Sequence, residues 1–85
     1  MMGLLKRKVR LQITEQENGA VIFDKTHGSY LQTNQVGVYI LKLLSEQKTV
    51  PEVVENVAET FSISRAQAEA DVSEFVASLR EAGIA

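Results

Sequence analysis

The side chains best suited to acid–base or nucleophilic chemistry lie together in one short segment of this 85-residue chain. His27 is the only histidine and stands between Asp24 and Ser29, which are the residue types of a hydrolase triad. A triad needs a buried base that a third group orients, whereas a histidine in a turn is usually exposed. One histidine without any cysteine also cannot supply the usual ligands of a transition-metal site. We therefore expect a protein that is not an enzyme and that has no catalytic residue, metal or cofactor.

Length and composition indicate one small globular domain that must hold whatever site exists. Hydrophobic residues make up 45% of the chain and charged residues 24%, with five Gly and one Pro, which is ordinary for a folded protein. We expect a single domain over residues 1–85, with residues 1–7 as a flexible basic tail. No apolar run of signal-peptide or membrane-spanning length follows that tail, and cysteine is absent. These features favour the cytoplasm and no membrane partner.

Three strands are predicted in the first part of the chain. Residues 9–14 alternate apolar and polar side chains, which is typical of a strand with one buried face. The dipeptide Asn18-Gly19 is a strong hairpin signal because both residues tolerate positive φ, and residues 20–23 continue as the second strand. After a turn over residues 24–28, residues 29–32 form the third strand. We expect an antiparallel sheet with the strands in chain order.

Three amphipathic helices are predicted to follow the sheet. Thr33 or Asn34 can cap the first helix, and the Thr49-x-x-Glu52 and Ser64-x-x-Gln67 spacings have the form of capping boxes. Gly83 is suited to end the third helix. The expected buried faces consist of Gly37, Ile40, Leu41 and Leu44 in the first helix, Val53, Val54, Val57, Ala58 and Phe61 in the second, and Ala68, Val72, Phe75, Val76 and Leu79 in the third.

Strands followed by helices predict an α+β domain of winged-helix-like architecture, with the helices on one face of the sheet. In that arrangement the third strand lies at an edge, and its segment SYLQ contains no charge, proline or glycine. The structural interpretation is that a helix or loop covers this edge. The functional interpretation is a slot for one added peptide strand, and a third possibility is pairing with a second copy. Composition alone leaves these open, and we expect a monomer when the protein is free.

Charge distribution argues against nucleic acid as the partner. Residues 1–48 hold seven basic and four acidic side chains (+3), and residues 49–85 hold two basic and seven acidic ones (−5), which gives the net charge of −2. A winged-helix nucleic-acid-binding domain needs a basic recognition helix, but residues 64–82 carry two arginines against four acidic residues. Phosphate would be repelled by this helix. Nucleic-acid binding remains the alternative that the fold class raises.

An ordered set of motifs resembles the PqqD-like peptide-recognition family. The set consists of a G-x-Y strand at residues 28–30, Asn34 opening an apolar helix, T-V-x-E-x-V at residues 49–54, and D-V-x-x-F-V-x-x-L-x-x-x-G-I at residues 71–84. The resemblance covers roughly residues 8–84. Members of this family, known as RiPP recognition elements, serve pathways that modify ribosomally made peptides.

The resemblance implies non-catalytic binding of the leader segment of a precursor peptide. The leader adds as an antiparallel strand to the third predicted strand, beside the third helix, and passes with its precursor to a leader peptidase and a cyclase. The chain is most similar to stand-alone members of lasso-peptide pathways, because it lacks the proline–glutamate pair that coenzyme-pathway members carry near the third strand. A peptide chaperone of another modified-peptide pathway is the alternative within the family.

The resemblance assigns the peptide contacts to the third strand and the third helix. Asp71 and Glu74 are candidates to meet a basic leader residue, although solvated charges on an outer helix face are the commoner case. Apolar helix residues are needed for the core of so small a domain as well as for a pocket. The residues implied to contact the leader are Ser29, Tyr30, Leu31, Gln32 and Thr33 on the strand and Ala68, Asp71, Val72, Phe75 and Val76 on the helix.

Overall fold

A computed structural model of the chain describes residues 11–84, a sheet of three strands followed by three helices. The predicted basic tail over residues 1–7 and the predicted start of the first strand at Val9 lie outside the described residues. The elements are β1 (Leu11–Gln16), β2 (Gly19–Asp24), β3 (Ser29–Asn34), α1 (Gln35–Ser45), α2 (Val50–Phe61) and α3 (Arg65–Glu81). This element order confirms the predicted α+β fold.

The sheet is an open antiparallel meander in the order β1-β2-β3. Gln16 pairs with Gly19, so the first hairpin turns through Glu17 and Asn18, one residue earlier than the sequence predicted. Neither turn residue has a positive φ. Gly19 serves a different purpose, because a Cβ at this position would collide with the backbone of Thr33 on the neighbouring strand. The glycine therefore permits close approach of β2 and β3.

Each helix begins at a side chain that satisfies a free backbone N–H. Asn34, the last residue of β3, accepts a hydrogen bond from the Gly37 N–H at 2.9 Å, and α1 follows without an intervening loop. The predicted capping box of α2 forms in both directions between Thr49 and Glu52. At α3 only half of the predicted box forms, because Ser64 caps the helix while the Gln67 side chain is bonded elsewhere.

One hydrophobic core lies between the helices and a single face of the sheet. Helix α1 packs on β2 and β3, and α2 and α3 pack on α1 and on each other. The expected helix stripes are buried, except that Ala58 and Phe61 are half-buried at the margin. The opposite face of the sheet has no helix against it within the described part of the chain. The main core side chains are Ile22, Ile40, Leu41, Leu44, Val53, Val57, Val72, Leu79 and Ile84.

Candidate functional site

The open edge of β3 is the first feature of the candidate site. β3 pairs with β2 on one side, and no strand among residues 11–84 pairs with it on the other. Alternate residues of such an edge strand direct their N–H and C=O groups away from the sheet, where a further strand can pair with them. The other edge strand, β1, carries Glu15 opposite Ala20 on the face that the helices occupy. An inward charge is a known device against strand pairing, which leaves β3 as the edge suited to it.

A cleft of about 480 Å³ lies beside this edge, between β3 and α3, with α1 as its floor. Its volume is within the range of ligand-binding clefts. Both polar and apolar side chains line it, so a bound segment would meet apolar surface as well as hydrogen-bonding groups. The lining residues are Asn18, Leu31, Gln32, Thr33, Asn34, Val36, Gly37, Ile40, Asp71, Glu74, Phe75 and Ser78.

Phe75 forms the junction between the cleft and the core. Its side chain is only 6% exposed and belongs to the core cluster, yet it also lines the cleft. Gly37 on α1 allows this ring to lie close to the helix, because a Cβ there would come within 3.0 Å of two Phe75 ring carbons. The ring position therefore depends on the absence of a side chain at Gly37.

Among residues 11–84, the two charged residues that line the cleft are both acidic. Asp71 and Glu74 stand one helical turn apart on α3. The Gln67 Nε2 donates a hydrogen bond to the Asp71 Oδ1 at 2.9 Å, which fixes one carboxylate near the cleft without neutralising it. The ion pairs in the described part of the chain involve other carboxylates, those of Asp24, Glu55 and Glu69. The cleft is therefore negatively charged at one wall.

The structure divides the residues implied to contact a peptide into three groups. Leu31, Gln32, Thr33, Asp71 and Phe75 come together around the cleft. Ser29 and Tyr30 lie on the same edge strand but do not line the cleft. The structure puts the remaining three helix residues in the hydrophobic core and not in the cleft lining: Ala68, Val72 and Val76.

Several cleft residues were absent from the sequence-based set. Val36, Gly37 and Ile40 come from α1, which the sequence identified only as a core helix. Their helical spacing reveals that they share a face, but only the packing of α1 beneath β3 and α3 makes part of that face a cleft floor. Ser78 and Asn18 enter from the end of α3 and from the β1–β2 turn. A polar residue at either position gives no sequence signal that distinguishes it from ordinary surface.

The Asp24–His27 pair has a clear structural role in the β2–β3 turn. The Asp24 carboxylate is buried and accepts hydrogen bonds from the Thr26 N–H at 2.9 Å and the His27 N–H at 3.2 Å. Its Oδ2 lies 2.7 Å from the His27 Nδ1, and the ring is half exposed. Burial raises the pKa of Asp24, but the hydrogen bonds from His27 and Thr26 outweigh burial and hold this pKa below its usual value.

Two features are absent from the described residues: a cluster of metal-binding side chains and a membrane-spanning helix. In residues 11–84, no three side chains of His, Cys, Asp or Glu converge in a way that could hold a metal ion. No helix in that same range is both long enough and apolar enough to cross a membrane.

Comparisons with known proteins identify the family. The chain is similar to TbiB1 in complex with the TbiA(beta) leader peptide, with 23% identity, a TM-score of 0.76, and coverage of 99% of this chain and 93% of that one. It is also similar to a lasso peptide synthetase B1 complexed with the leader peptide, with 25% identity, a TM-score of 0.73, and coverage of 94% and 92%. No curated protein matches the chain. The family model for coenzyme PQQ synthesis protein D (PqqD) matches residues 19–85, and the chain therefore belongs to the PqqD family.

Proposed function

We propose that this chain binds the leader segment of a ribosomally made precursor peptide as an antiparallel strand added to β3, beside α3. The observation that carries the proposal is the unpaired, uncharged edge of β3 next to the cleft. It is supported by two structural relatives that are each described in complex with a leader peptide, one of them as lasso peptide synthetase B1. A precursor of lasso-peptide type is accordingly the proposed ligand.

Two kinds of contact would hold such a peptide. The backbone of residues 29–34 supplies hydrogen bonds that do not depend on the peptide sequence. Side chains along a strand point alternately to the two faces of a sheet, so every second peptide residue enters the cleft. There, Leu31, Ile40 and Phe75 provide apolar surface. With two or three buried anchors, a dissociation constant of about 1 µM or tighter is expected.

The acidic wall of the cleft favours a basic peptide residue. Asp71 and Glu74 face the bound segment from α3, and none of the described residues that line the cleft is basic. A Lys or Arg that passes this wall would gain a favourable charge interaction, whereas an acidic residue would be repelled. The same wall disfavours a nucleic-acid backbone, which is the competing partner for a winged-helix-like fold.

The chain acts, in this proposal, as a non-catalytic adaptor in the cytoplasm. It is a single domain that is monomeric when free, because a dimer paired through β3 would occupy the proposed peptide edge. The bound precursor passes to a leader peptidase and a cyclase. In the alternative within the family, the same edge serves a different modified-peptide pathway. A panel of leader segments from both pathway types separates these cases by affinity.

The direct test uses the intact protein labelled with nitrogen-15 and a synthetic leader segment of any short precursor peptide encoded beside its gene. Amide shifts should be largest in residues 29–34 and along the cleft side of α3. Methylation of single peptide amide nitrogens then tests strand pairing, because only alternate N–H groups point toward β3. Methylation should abolish binding at every second position and be tolerated between them. Binding without this alternation would contradict strand addition.

The charge of the cleft has its own test. Glu74→Gln should lower the affinity for a basic leader by up to about fivefold at low salt. The loss of affinity should become smaller as added salt screens the charge interaction. The matched control is Glu59→Gln, which removes the same charge from an exposed position on α2. Equal effects of the two variants would show that net charge, and not the acidic wall, determines the affinity.

A further inference from the structure

The face of the sheet opposite the helices carries no charged residue in the described strands. The strand register defines the positions on this outer face, since they alternate with Ile22 and with the other residues that point to the core. Such a surface is unusual for solvent-exposed strands, whose outward positions are commonly polar and charged. The outer-face residues are Gln12, Thr14, Gln16, Gly19, Val21, Phe23, Tyr30, Gln32 and Asn34.

Two aromatic rings dominate this outer face. Phe23 and Tyr30 are direct cross-strand partners on β2 and β3, and they are 40% and 69% exposed. Phe23 lies in the central strand, with neighbours on both sides. Tyr30 lies in the edge strand, so within the described sheet its cross-strand neighbour is on β2 alone. Its other side borders the position that an added strand would occupy.

We infer that Tyr30 determines specificity in addition to the cleft. Its ring contacts the peptide side chains that point away from the cleft. This inference rests on the proposed addition of a strand to β3. If alternate peptide residues enter the cleft, the residues between them lie on the outer face, and directly opposite side chains in paired strands approach to about 5 Å. A peptide residue opposite Tyr30 would extend the existing Phe23–Tyr30 pair into a row of three across three strands.

The chemistry of the outer face defines the preferred peptide residue. Aromatic and β-branched side chains form the most favourable cross-strand contacts with an aromatic ring. The described strands offer no outer-face charge that could pair with a charged peptide residue there. The recognised segment would therefore combine cleft-facing residues that are apolar or basic with an aromatic or β-branched residue facing Tyr30. This pattern differs from recognition by the cleft alone, which would leave the alternate positions unselected.

A double-mutant cycle with the intact protein and the synthetic leader segment tests the inference. Each peptide residue is replaced by alanine, and affinities are measured by fluorescence anisotropy for the wild type and for Tyr30→Thr, a change that keeps a strand-forming residue but removes the ring. We expect Tyr30→Thr to weaken the unmodified leader about twofold to fivefold. At one outward peptide position, alanine should weaken binding to the wild type but not to the variant. Alanine at a cleft-facing peptide position should lower the affinity of the wild type and of Tyr30→Thr by the same factor.

Two control variants make the outcome specific. Tyr30→Phe retains the ring and should bind as the wild type does, whereas Gln12→Thr alters the same face at the distant edge and should have no effect. Unchanged affinity of Tyr30→Thr, or alanine penalties that are the same in both proteins, would overturn the inference. If either result is found while methylation of every second peptide amide still blocks binding, strand addition is supported and only the role of Tyr30 is wrong. No binding to the wild type would overturn both.

Discussion

Gly37→Ala tests whether the cleft wall depends on the close packing of α1 against Phe75. An added Cβ would come within 3.0 Å of two ring carbons of Phe75 and would overlap the Thr33 hydroxyl. Both side chains must shift. Alanine gains up to about 1 kcal/mol over glycine in a helix, but overpacking a core costs about 1–3 kcal/mol. We therefore expect the free energy of unfolding to fall by about 1 kcal/mol.

The same substitution should also affect peptide binding. Because Phe75 lines the cleft, its displacement changes the surface that a bound leader contacts. We expect the affinity to fall about fivefold, equivalent to about 1 kcal/mol. Urea unfolding followed by circular dichroism measures the first effect, and fluorescence anisotropy with the labelled leader segment measures the second.

Two further variants separate crowding from other causes. Adding Phe75→Leu to Gly37→Ala shortens one of the two crowded side chains, so the double variant should lose less stability than the sum of the two single changes. Ser73→Ala, at an exposed position of α3, measures the effect of alanine on a helix without crowding. A gain of about 1 kcal/mol in Gly37→Ala, with unchanged leader affinity, would refute the packing argument.

Three more predictions concern stability. Gln47 has a left-handed φ of 68° just after α1, so Gln47→Gly should raise the free energy of unfolding by about 1 kcal/mol in urea titrations; a loss would show that its side chain matters more than backbone strain. Thr49→Ala removes the cap of α2 and should cost about 1 kcal/mol, lowering the melting temperature by several degrees. The folded pKa of Asp24 is lowered, so its ionised form stabilises the fold above its unfolded pKa, and this contribution is lost as pH falls through the folded pKa. Asp24→Asn should therefore make the free energy of unfolding fall less steeply as the pH is lowered. An unchanged pH dependence would contradict this.

Local chemistry explains why most of the fold could be predicted from the sequence. Caps act within four residues of themselves, so the Thr49-x-x-Glu52 spacing identifies the start of α2. The same reasoning limits the cap of α1 to Thr33 or Asn34, and the structure shows that it is Asn34. The buried stripe of α1 likewise follows from helical periodicity. Where a side chain had two possible partners, the prediction was incomplete. Gln67 has the spacing to complete a capping box but instead donates its hydrogen bond to Asp71.

The candidate site was less accessible to sequence reasoning because it is built by tertiary packing. Val72 and Phe75 have the same apolar character and lie on the same helix, yet only Phe75 lines the cleft beside β3. Asp24 shows the same limit for polar residues. The sequence assigns Asp24 to a turn, where an aspartate is normally exposed, but the structure continues β2 to Asp24 and turns it to the same face as Ile22. Its burial is tolerated because backbone N–H groups and His27 satisfy its oxygens. Residue type alone gives neither distinction.

The direct passage from β3 into α1 has a thermodynamic consequence for ligand capture. Asn34 is both the final strand residue and the helix cap, so no loop separates the edge strand from a helix anchored in the core. An edge held in this way is preorganised, because its backbone loses little further conformational entropy when a partner strand arrives. The entropic cost of association then falls almost entirely on the incoming peptide. Substitutions that stiffen the peptide in an extended form would lower that cost without any new contact.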